Sequence, residues 1–192
     1  MAPIEQVRAV FIDRDGVINE DIAYLHRRKD VIILPRVAEA LKRLKTKGFL
    51  LIVVTNQPSV AKGFIAEEEV NELNKFIASK SGSYIDQFYF CPHHPNADLE
   101  AYRKVCVCRK PAPGMLLKAS KDYPIDLKNS WLIGDMGSDI AAGRSAGCRT
   151  IMIKSPKNGK MIESGSDSNI HTEPDLYAED LFGASQLIAG EL

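Results

Sequence analysis

The chain has 192 residues, with 25 acidic and 25 basic side chains and no block of five or six like charges. That balance argues against a nucleic-acid footprint and against a polybasic membrane patch. No apolar run reaches the ~18 residues of a membrane span, and Met1 to Gln6 lack a basic segment followed by an apolar core. The reading is therefore a cytoplasmic protein, one domain over 1–192, whose partner is a small molecule rather than nucleic acid or membrane. Of four cysteines, three lie between Cys91 and Cys108, which in a reducing compartment favours metal binding over disulfides, while Cys148 reads as a buried thiol.

Along the chain, apolar runs alternate with helical patterns, which predicts an α/β fold of βα units around a parallel sheet. A strand over Val7 to Ile12 comes first. A helix over Val37 to Lys47 follows, with Val37, Leu41 and Leu44 on one face, Pro35 suited to its start and Gly48 to its stop. Next come a strand over Phe49 to Val54, a helix over Glu67 to Ser79 and a strand over Gln87 to Phe90. The pattern then places helices over Ala112 to Tyr123 and Ser138 to Ala146, and strands over Trp131 to Ile133 and Thr150 to Ile153. Lys154 to Thr172 is rich in Ser, Gly, Lys and Asn and reads as a loop, and a last helix is expected over Tyr177 to Ala189.

Chemistry-bearing residues recur where these strands end. In Phe11-Ile12-Asp13-Arg14-Asp15-Gly16 two carboxylates follow an apolar run, and Gly16 permits a sharp turn, so both acids emerge at the strand's carboxyl end. Open α/β sheets bind ligands at that edge. An aspartate there can attack phosphorus, and a second one two positions on can exchange a proton with the leaving oxygen. After the second strand, Thr55 can donate its hydroxyl to a phosphoryl oxygen and Asn56 its amide to a phosphate or sugar. In Arg109-Lys110-Pro111, Lys110 can offset phosphoryl charge, and the planar fork of Arg109 suits a second anionic or hydroxyl-rich part of a substrate. Gly134-Asp135 ends another strand; Asp135, Asp13 and the backbone carbonyl of Asp15 suit Mg²⁺, with Asp139 read either as a further support of that ion or as an acid in the first turn of a helix. Finally Cys91, His93 or His94, Cys106 and Cys108 match a closed tetrahedral Cys₃His zinc site, structural because it keeps no open position.

Together, Asp13-x-Asp15, Thr55-Asn56, Lys110 and Gly134-Asp135 with Asp139 resemble the four motifs of the haloacid dehalogenase-like phosphatases. Residues 8–153 carry the likeness, and D-R-D-G-x-I-N, V-V-T-N-Q and the C-P-H-H-P…C-x-C-R-K-P segment are similar to members that act on sugar bisphosphates, with histidinol-phosphate phosphatases as the nearest alternative. The resemblance implies a capless, Rossmann-like sheet with a zinc-binding loop inserted at 91–108, catalytic Mg²⁺ and structural Zn²⁺ on Cys91, His93, Cys106 and Cys108. It implies Asp13 as nucleophile, Asp15 as acid and base, and Thr55 and Lys110 steadying the phosphoryl group. It also implies that Asp21, Tyr24, Asn56, Gln57 and Arg109 bind a sugar phosphate, in a protein expected to be a monomer. Two departures bear on substrate choice. Pro58-Ser59 stand where relatives often carry Ser-Gly, removing an amide hydrogen, and Met136 stands where many have lysine.

Overall fold

The computed structural model describes residues 6–154 and 172–190. The first strand, β1 (Ala9–Ile12), is buried along its whole length. Continuous apolar strands of that kind belong to parallel sheets covered on both faces. Around it lie β2 (Leu50–Asn56), β3 (Gln87–Cys91), β4 (Trp131–Gly134), β5 (Arg149–Ile153) and β6 (Leu176–Ala178), all parallel, in the order β3-β2-β1-β4-β5-β6.

Alternation along β1 sorts the helices into two layers. Val10 and Ile12 join a core with Val37, Leu41 and Leu44 of α1 (Val37–Thr46), Val70, Leu73 and Ile77 of α3 (Glu67–Lys80), and Leu181 and Phe182 of α6 (Leu181–Ala189). Ala9 and Phe11 face the other way, into a core with Met115, Leu116 and Ala119 of α4 (Gly114–Asp122) and Ala142 and Ala146 of α5 (Gly137–Ala146). A four-residue helix, α2 (Pro58–Ala61), follows β2 directly, with Pro58 in its first turn, where a missing N–H costs nothing.

One expectation is corrected. The segment read as one helix over Tyr177 to Ala189 opens instead as β6, paired with β5 through Ile151 and Leu176, and the helix starts at Leu181. Asp180 enforces that break by accepting a hydrogen bond from the Gly183 amide at 2.7 Å as an N-cap. The short α2 is not legible as a periodic pattern because four residues make only one turn. Most of the segment expected to be a loop over Lys154 to Thr172 lies outside the described residues.

Strand order reverses between β1 and β4, which opens a crevice at their carboxyl ends. The register sets those ends level: Ile12 pairs with both Val53 and Ile133, and the Asp13 amide donates to Ile133 O at 2.9 Å. Residues just past β1, β2 and β4 therefore share one edge.

Candidate active site

The crevice is lined by residues from four segments: Asp13 to Leu25 after β1, Thr55 to Ser59 after β2, Arg109 and Lys110 after the Cys/His loop, and Asp135 to Asp139 after β4. At its floor, Lys110 places its Nζ 2.8 Å from Asp13 Oδ1 and 2.6 Å from Asp139 Oδ1, and donates to Val54 O at 2.9 Å. All three side chains are almost wholly buried. Burial alone draws the lysine toward its neutral form, but the charges of Asp13 and Asp139 outweigh it and hold its pKa above the ordinary value. For Asp13 burial dominates and raises the pKa well above the carboxylate range; Lys110 opposes this, and Asp139 and Asp135 add to it.

Such a centre calls for a cation. At the crevice floor three buried carboxylates (Asp13, Asp135, Asp139) face one buried cation (Lys110), an excess of two negative charges that a divalent ion balances. Ligand oxygens of Asp13, Asp135 and Asp139 lie within 4.8 Å of one another. The backbone makes room for the set, since Gly16 sits at φ +85° against Asp135, and a Cβ there would fall 2.4 Å from Asp135 Oδ2. Hard carboxylate oxygens suit Mg²⁺. The donor set fits the ion expected from the sequence, with Asp139 doubly engaged by Lys110 and by the Met136 amide at 3.1 Å.

Asp15 points into a different network. Its Oδ1 accepts from Arg14 Nε at 3.2 Å, Arg14 Nη2 at 3.1 Å and Asn19 Nδ2 at 2.8 Å, and its Oδ2 from Arg14 Nη2 at 2.9 Å and Gln57 Nε2 at 2.8 Å. Gln57, expected to meet substrate, spends its amide on Asp15 and on Thr55 Oγ1 at 2.9 Å. Because that oxygen is accepting, the Thr55 proton remains to be donated. Asn56 likewise clamps the backbone of Lys110: its Nδ2 donates to Lys110 O and its Oδ1 accepts from Lys110 N, each at 3.0 Å. The Asn56 amide thus holds the backbone of the lysine while Asn56 itself lines the crevice. Asp21, Tyr24 and Arg109 line the crevice, as does Met136, and Arg109 also donates to His93 O at 3.4 Å. Sequence reasoning missed Arg14, which is fully buried although it lies between the two acids. Its signal was position: a basic residue flanked by two acids where an apolar strand ends.

Beside the crevice, Cys91, His93, Cys106 and Cys108 gather with ligand atoms within 4.8 Å of one another. His93 Nδ1 lies 3.3 Å from Cys108 Sγ, whereas His94 Nδ1 accepts from the Asn96 amide at 3.0 Å, so it is His93 that enters the cluster. Hydrogen bonding from Cys91 leads the causes that bring the Cys108 thiol down to about 5, giving one ready thiolate. Three sulfurs and one imidazole fit a closed zinc site. Cys148, outside the cluster, is pushed up to about 12 by burial, as an inert core thiol would be.

A parallel sheet with acids at the ends of β1 and β4 and a buried lysine between them defines a HAD-like hydrolase, and residues 107–184 match the HAD-hydrolase-like family model. The chain is similar to several phosphatases. A Photorhabdus laumondii D-glycero-alpha-D-manno-heptose-1,7-bisphosphate 7-phosphatase is 34% identical over 95% of this chain and 97% of its own length. A D-glycero-beta-D-manno-heptose-1,7-bisphosphate 7-phosphatase of Escherichia coli K12 is 38% identical over 90% of this chain and 93% of its own. The crystal structure of a D,D-heptose 1,7-bisphosphate phosphatase from B. bronchiseptica, complexed with magnesium and phosphate, superposes with a TM-score of 0.80 at 26% identity, covering 97% of this chain and all of that one. The chain belongs to the heptose-1,7-bisphosphate 7-phosphatase family of HAD-like phosphatases.

Proposed function

We propose that this phosphatase removes the 7-phosphate of D-glycero-D-manno-heptose 1,7-bisphosphate through an aspartyl-phosphate on Asp13, acting as a single-domain cytoplasmic monomer. The observation that carries the reading is Asp13 at the end of β1, 2.8 Å from a buried Lys110 cation and clustered with Asp135. An oxygen of Asp13 attacks phosphorus in line, the bond from phosphorus to the sugar oxygen breaks, and Asp15 gives its proton to that oxygen. Asp15 then takes a proton from water, whose oxygen attacks phosphorus, and the bond to Asp13 breaks to release phosphate and restore the carboxylate.

Lys110 and the Thr55 hydroxyl bear on the phosphoryl oxygens, where preorganised donors count most because they need no reorganisation. Asp13, Asp135 and the backbone of Asp15 would hold Mg²⁺, with Asp139 steadying Lys110 behind them; bound there, the ion offsets repulsion between a dianionic phosphate and the carboxylates. Arg109, Asp21 and Tyr24, which line the crevice, would contact the sugar. Zinc on Cys91, His93, Cys106 and Cys108 would brace the loop that leads into Arg109 and Lys110.

The test is phosphate release with Mg²⁺ from both anomers of the heptose bisphosphate and from histidinol phosphate. Preference of at least about tenfold in kcat/KM for one heptose anomer supports the reading, since ~1.4 kcal/mol of differential binding suffices for it. Faster turnover of histidinol phosphate than of either anomer overturns the substrate assignment.

A further inference from the structure

The α3 face that meets the core runs Val70, Leu73, Asn74, Ile77, so one amide stands in an apolar stripe. Asn74 is 2% exposed; its Oδ1 accepts from Arg14 Nη1 at 2.9 Å, while its Nδ2 is buried without a hydrogen-bond partner. A purely structural asparagine at this depth would satisfy both halves of its amide, because an orphan donor is costly. Here the packing engages the acceptor half, on Arg14. The acceptor meets the one guanidinium nitrogen that Asp15 does not use: Nε and Nη2 grip Asp15, and Nη1 goes to Asn74.

We propose that Asn74 and Arg14 are positioning residues, Asn74 fixing the plane of the Arg14 guanidinium so that its fork, with Asn19 and Gln57, holds the Asp15 carboxyl in the geometry for proton transfer. This rests on the acid–base role given to Asp15 above. Asp15 lies on a loop just before the turn at Gly16, and its side chain is a fifth exposed. A carboxyl on a loop samples several rotamers unless partners fix it, and proton transfer requires heavy atoms within hydrogen-bond reach. Asn74 holds Arg14, and through it Asp15, from a helix anchored in the core, which ties the acid to the rigid part of the fold.

The experiment compares wild type, Asn74→Leu, Asn74→Asp and Arg14→Lys with Asp15→Asn, each as Mg²⁺-loaded full-length enzyme. Two substrates are used: heptose 1,7-bisphosphate and p-nitrophenyl phosphate. For Asn74→Leu and Arg14→Lys, kcat on the sugar phosphate is expected to fall by about 10- to 100-fold, with KM within about twofold, in line with the cost of a misplaced catalytic group. The first-turnover burst of p-nitrophenolate should fall by less than about threefold, because that leaving group departs without a proton. Asn74→Asp, which keeps the acceptor, should stay within about fivefold of wild type on both substrates. Equal losses on both substrates, in variants whose melting curves remain cooperative, would mark the pair as merely structural and overturn the proposal, as would wild-type kcat in both Asn74→Leu and Arg14→Lys. If Asn74→Leu does not fold, Arg14→Lys and Asn74→Asp decide by the same criteria. Undiminished turnover in Asp15→Asn is a separate failure, that of the acid–base role itself.

Discussion

Gly16→Ala tests how the backbone admits the metal ligands. Gly16 lies at φ +85°, where an L side chain costs about 1–2 kcal/mol. Sterics compound this: the new Cβ would stand 2.4 Å from Asp135 Oδ2 and 3.0 Å from its Cγ, whereas ordinary contact begins near 3.4 Å, so the Asp135 carboxylate or the turn must retreat by about 1 Å. Backbone strain alone should lower the melting temperature by roughly 2–8 °C for a chain of this size. The carboxylate shift matters more for function, because Mg²⁺ demands oxygens near ~2.1 Å in octahedral order. Activity titrated against Mg²⁺ should therefore show half-saturation raised by at least about tenfold, and kcat at saturation reduced by up to about 100-fold, the scale set by a 1 Å displacement. A variant that melts several degrees lower but activates at the wild-type Mg²⁺ concentration would refute the reasoning, because it would show that Asp135 does not rely on the open face of Gly16.

Further outcomes follow from the same geometry. Asp13→Asn should abolish turnover while the protein still folds cooperatively, since side-chain volume barely changes; burst experiments that still trap a phosphorylated enzyme would exclude Asp13 as nucleophile. Asp15→Asn should reduce kcat on the sugar phosphate by ~10²–10⁴-fold, read in steady-state assays at saturating Mg²⁺. Lys110→Met removes the cation that Asp13 and Asp139 share, and kcat is expected to fall by about 10²–10³-fold, with circular dichroism reporting whether the crevice stays folded. Cys108→Ser should lower zinc content measured by atomic absorption together with the melting temperature, and unchanged values of both would sink the zinc assignment.

The strand ends were legible because a parallel sheet advertises itself twice, through unbroken apolar runs such as Ala9–Ile12 and through the polar residues that follow each run. Periodicity placed α1 and α3 within a residue or two of their observed ends. It failed at Leu176–Ala178, where three residues are too few for alternation to register and the Asp180 cap outvoted the apolar spacing. Spacing also left His93 and His94 equivalent; only the path of the loop, with His94 turned to the Asn96 amide, separates them.

By itself, the sequence determined which functional groups this protein owns and on which edge of the sheet they emerge, since residue type and strand period are local properties. Tertiary structure decided which partners each group meets. Asn56 and Gln57 carry amides suited to a substrate, yet packing turns them toward Lys110 and Asp15. Asp139, four residues beyond Asp135, is joined by the fold to a lysine from a different segment. Arg14 and Asn74, 60 residues apart, meet only because α3 packs on the sheet beside β1, and no local pattern encodes a contact between such distant positions.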